Sequence, residues 1–91
     1  MIMTQYRVSE VARLRNGDIA ISGLVVDGPL LTIGQKGSAM VGRDKIRVVV
    51  TGTGVIDPNL NPLGRQGILV NMLEGDEALL KGITLIFEQG P

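Results

Sequence analysis

Glycine and proline cut this chain into short β-branched runs, and that punctuation limits the fold more than any other feature. The stretch Gly17-Asp-Ile-Ala-Ile-Ser-Gly-Leu-Val-Val-Asp-Gly-Pro-Leu-Leu-Thr-Ile-Gly34 holds four glycines where the sequence otherwise reads as strand. Glycine weakens a strand through entropy and lost packing, so each copy marks a turn, a bend or a close approach.

Between these corners the alternation is that of strands. From Asp18 to Val26, Ile19, Ile21, Gly23 and Val25 share one face, and Ala20, Ser22, Leu24 and Val26 the other. Asp27-Gly28-Pro29 reads as a turn, Leu30–Ile33 as a short strand and Gly34-Gln35-Lys36-Gly37 as another turn. Ser38–Val41 is a further apolar piece, ended by a turn at Gly42-Arg43-Asp44. Lys45–Thr53 is the strongest strand, and residues 55–64, with their Pro and Asn, read as a loop. Gln66–Leu73 and Ile83–Phe87 resume as strands after that loop, with an acidic turn at Glu74–Glu77. Upstream, residues 5–13 read as extended. A helix over Ser9–Arg15 would be under two turns long before Asn16-Gly17 ends it.

Many short strands at roughly 8–12-residue spacing, separated by Gly and Pro corners, imply an all-β closed barrel or sandwich. Closure suits this chain, because an open sheet this short leaves two exposed edges. Its 13 glycines also fit the sharp bends of a small barrel. The 91 residues are expected to form one domain, residues 1–91, burying roughly 60–65% of the unfolded surface. Only Tyr6 and Phe87 are aromatic, so the core must come from Val, Ile, Leu and Met.

Composition removes much chemistry. The chain has no Cys and no His, which excludes thiolate nucleophiles, imidazole bases and the usual zinc or haem ligands. Ser9, Ser22 and Ser38 therefore have no histidine base. Val41-Gly42-Arg43-Asp44-Lys45 lacks the spacing of a phosphate loop, and Thr51-Gly52-Thr53-Gly54 does not complete a dinucleotide fingerprint. Asp57 and the cluster Glu74, Asp76 and Glu77 read as solvated acids rather than a calcium loop. No enzyme activity, cofactor or metal is expected. Without a signal pattern or a bilayer-length apolar run, the expectation is a soluble cytoplasmic protein with no membrane partner.

Two surface features point to binding. Nine basic and nine acidic residues cancel, so the chain has no global field. Locally, however, Arg43, Lys45 and Arg47 stand at i, i+2 and i+4 and would project from one face of a strand, with Ile46, Val48 and Val50 facing the core. Arg65 would extend the row if the two ends are close. Such a row can hold RNA phosphates, or it can be a solvated face that guards a strand edge. Interleaved aromatics, the usual stacking platform for single strands, are missing. The second feature is the face carrying Leu24 and Val26. It is apolar for an outer surface and reads either as a protein interface or as surface covered by residues 55–64.

The same residues resemble a known family. Asp18 to Gln35 is similar to the first hairpin of domain 2 of translation GTPases. Elongation factor Tu and its relatives carry, in outline, Val-Val-Thr-Gly-Arg-Val-x-x-Gly-x-Ile-x-Val-Gly-Asp there. Gly23, Val25, Gly28 and Gly34 fall on that framework, Tyr6–Val11 resembles the lead-in strand, and Gly67–Leu73 with Glu77–Leu85 resembles the closing section. The resemblance implies an antiparallel β-barrel of six to seven strands. It carries over no GTPase chemistry, hence no nucleotide hydrolysis. Leu24 replaces the family's usual Arg, Val26 replaces a charged or polar residue, and Gly67 stands where an amide side chain approaches the aminoacyl end of tRNA. The expectation is a non-enzymatic, translation-associated binding module with an RNA or protein partner. The alternative is a self-assembling module that uses Leu24 and Val26. A third site, for a small molecule, would involve Asn59–Gly64 at the barrel mouth.

Overall fold

Period-2 alternation decides which face of each strand turns inward, and it does so on every strand of a computed structural model that describes residues 3–54 and 65–88. Six strands, β1 (Met3–Arg13), β2 (Ile19–Asp27), β3 (Lys36–Val41), β4 (Asp44–Thr53), β5 (Arg65–Glu74) and β6 (Thr84–Glu88), close into a barrel in the order β1-β2-β5-β4-β3-β6. Every neighbouring pair is antiparallel. The sequence expectation of a small closed antiparallel barrel is met, with six strands. Among the described residues no helix is long and apolar enough to cross a membrane.

The interior is filled by side chains rather than left as a channel. Ile46, Val48 and Val50 of β4 meet Ile68 and Val70 of β5, Ile19 and Ile21 of β2, and Leu85 and Phe87 of β6, all buried. Tyr6 and Phe87 pack edge to face with ring centroids 6.4 Å apart. The Tyr6 hydroxyl donates to the Gln66 carbonyl. Burial pushes that hydroxyl above its ordinary ionisation range, so it stays protonated and structural.

Tertiary pairing settles the ambiguity at Ser9–Arg15 in favour of strand. Val11, Ala12 and Arg13 pair with Ile21, Ala20 and Ile19, and a bulge between Val8 and Glu10 bends β1 just past the end of its pairing with β6, while its pairing with β2 continues on both sides. Two glycines permit that bend and the turn that follows. A Cβ at Gly23 would fall on the Arg7 carbonyl, and Gly28 combines φ +92° with the carbonyl of Met3 beside it.

The structure corrects two readings. Residues 30–33 are not a strand. The Gln66 side chain takes both backbone groups of Leu31, accepting from its N–H at 2.8 Å and donating to its C=O at 2.8 Å, so no strand ladder can form there. The Gln35 side chain likewise accepts from the N–H of Thr32 at 2.7 Å. Lys36-Gly37, read as a turn, instead opens β3, because both residues pair with β4 and with β6.

Candidate functional site

Antiparallel partners that stand directly opposite each other carry their side chains on the same face. On the outside of the β3–β4 hairpin, Lys36 faces Val49, Ser38 faces Arg47 and Met40 faces Lys45. Across the closing seam Lys36 pairs with Glu88 and Ser38 with Ile86. From β6 the rows continue to β1, with Gln5 opposite Ile86 and Arg7 opposite Thr84. Arg7, Lys36, Lys45 and Arg47 thus share one outward surface over β1, β6, β3 and β4, with Glu88 opposite Lys36 and Glu74, on β5, opposite Arg47 as its acids. Met3, Lys36, Ser38, Arg47, Ile86 and Glu88 line a shallow depression of about 220 Å³ within it.

Two observations distinguish this surface from an ordinary charged exterior. The ion pairs among the described residues lie elsewhere, Arg13 with Glu77 at 2.8 Å and Lys81 with Glu10 at 3.5 Å. In addition, β4 is hydrogen-bonded to β3 on one side and β5 on the other, so it has no free edge for its cations to guard.

The sequence-derived residues divide. Lys45 and Arg47 join the surface, and Arg43 occupies the two-residue turn between Val41 and Asp44, beside it but off the sheet. Arg65 is elsewhere. Arg47 stands opposite Glu74, and Arg65 lies nine residues back along β5, roughly 30 Å away at strand rise. The two ends are not close, and the row does not extend to Arg65. Sequence reasoning missed Lys36, hidden inside a supposed turn, and Arg7, which only barrel closure brings round.

Leu24 is half-buried and pairs with Arg7 on one side and Arg65 on the other. Val26 is 59% exposed. Cover of that face by residues 55–64, the carboxylate of Asp57 and a site at Asn59–Gly64 all lie outside the described residues. Two acids of the turn after β5 have local partners. Asp76 accepts from the N–H of Ala78 at 2.9 Å and so caps the 3-10 turn Glu77–Leu79, while Glu77 pairs with Arg13.

The fold is a closed, side-chain-filled antiparallel β-barrel. In comparison with known proteins, no family model, curated protein or solved structure matches the chain.

Proposed function

We propose that this barrel is a non-enzymatic binding module that holds RNA phosphates on the outward surface of β1, β6, β3 and β4. The observation that carries the reading is the register: it gathers Arg7, Lys36, Lys45 and Arg47 on one face of a sheet that has no edge to protect. Ser38 adds a hydroxyl donor between Lys36 and Arg47. The association with translation rests on the framework residues Gly23, Val25, Gly28 and Gly34 and on the resemblance they carry.

Each phosphate contact to a single strand adds about 0.7 to the salt slope, which amounts to roughly fivefold in affinity at 0.1 M salt. Neutralising two contacts in Lys36→Gln/Arg47→Gln should therefore weaken binding to a single-stranded RNA about 25-fold at that salt. Arg65→Gln, at the far end of β5, should leave it within about twofold. Fluorescence anisotropy measures both. Equal affinity of the double variant and the wild type would overturn the reading.

A second reading, self-association, draws on Val26, which is 59% exposed although apolar. It expects sedimentation to show a wild-type mass that rises with concentration and a Val26→Glu variant that stays monomeric. A wild-type monomer at all concentrations counts against it.

A further inference from the structure

Beyond Arg7, β1, β2 and β5 enclose an open groove of about 580 Å³ that Thr53 and Gly54, at the end of β4, also line. That volume is in the range of small-molecule sites, roughly 300–1,000 Å³. Ala12, Ala20 and Leu69 of the outer face, with Val11, Ile21 and Ile68 of the inward row, make its lining mainly apolar, with Ser22 and Gly67 beside them. The pairing arranges it in rows: Ala12, Ala20 and Leu69 form one, and Glu10, Ser22 and Gly67 the next.

Among the described residues Gly67 has no steric or torsional reason to be glycine. Its φ is not positive, and a Cβ there would meet none of them nearer than the Ile21 carbonyl oxygen at 3.9 Å. A glycine inside a strand weakens it and often marks a place where a ligand approaches the backbone. Here the space a side chain would fill is part of the groove.

The charge around the groove is directional. One row beyond Ser22 and Gly67, about 7 Å along the strands, Arg7 and Arg65 stand on either side of Leu24. Neither is in an ion pair among the described residues. The acid of the lining, Glu10, is held by Lys81 at 3.5 Å. An apolar trough with two guanidinium groups at one end complements an aliphatic chain that ends in an anion. The planar fork of arginine meets a carboxylate through two parallel hydrogen bonds.

We propose that the groove binds an aliphatic carboxylate, its chain over Ala20, Gly67 and Leu69 and its head group held by Arg65 together with Arg7. This gives Arg65 a role apart from Lys36, Lys45 and Arg47, with Arg7 standing where the groove meets the phosphate-binding face.

Titration of the ¹⁵N-labelled protein with octanoate tests it. Saturable shifts are expected at the amides of Ala20, Ser22, Gly67 and Leu69, and octylamine, with the opposite charge on the same chain, should produce none. Arg65→Gln should weaken octanoate about tenfold, the loss of a charge-assisted hydrogen-bond partner. Gly67→Val should fill the groove and abolish binding while the melting curve is kept. Arg47→Gln, on the cationic face, should leave octanoate affinity unchanged, which separates this site from RNA binding. The proposal is overturned by an absence of saturable shifts at those amides, by equal binding of octylamine, or by wild-type affinity in Arg65→Gln.

Discussion

Replacing Gln66 by leucine should lower the unfolding free energy by about 2–6 kcal/mol, measured as a fall in the denaturation midpoint. Gln66 is buried, and its amide is the partner of both the N–H and the C=O of Leu31. Leucine has nearly the same size but satisfies neither group, and each unpaired buried polar group costs about 1–3 kcal/mol. The loss is larger than that of an ordinary side-chain hydrogen bond because the contact ties two remote parts of the chain together. The segment from Gly28 to Gln35 passes from β2 to β3, and Leu31 is its buried anchor. Gln66→Glu can still accept from the Leu31 N–H but, when ionised, cannot donate to its carbonyl, and burial of the charge adds to the cost. A change of less than about 0.5 kcal/mol in Gln66→Leu, the level of a surface substitution, would show that the amide does not anchor this segment.

Phe87→Ala should cost about 3–5 kcal/mol, the range for emptying an aromatic site in a core. Phe87 is fully buried, packs edge to face against Tyr6, and lies where barrel closure joins β6 to both β1 and β3. Its ring also explains Gly37. A Cβ added at Gly37 would collide with the Phe87 ring, so the glycine of β3 makes room for the phenyl group on β6. Gly37→Ala alone should therefore destabilise by about 1–3 kcal/mol through overpacking. In a Phe87→Leu background the same substitution should cost measurably less. A double-mutant cycle reads the difference as a coupling energy of at least about 0.5 kcal/mol, and strict additivity would contradict this packing.

Strand alternation was legible because it needs only the local period. Ile46, Val48 and Val50 declare an inward face, as do Ile19 and Ile21, and the barrel places them there. What could not be read depends on partners remote in sequence. Leu30–Ile33 has the composition of a strand, but a side chain 35 residues away takes Leu31's backbone groups. The cationic face was half legible. Lys45 and Arg47 follow from period 2 on one strand, whereas Lys36 depends on the length of the turn. Counting Gly42-Arg43-Asp44 as the turn hides the register, while the observed two-residue turn sets Ser38 opposite Arg47 and Lys36 one row on. Arg7 requires closure through β6, and the separation of Arg65 from Arg47 follows only from the antiparallel pairing of β4 and β5. The groove escaped notice because its signal is a glycine that could have been a bend like Gly23. Among the described residues, only the open space around Gly67 distinguishes the two.

Salt dependence tests the phosphate-binding face most directly. With Arg7, Lys36, Lys45 and Arg47 all in contact, log affinity for a short single-stranded RNA should fall with log salt at a slope of about −3. In Lys36→Gln/Arg47→Gln the slope should shrink to about −1.4. A wild-type slope near zero, or the same slope in both proteins, would contradict it.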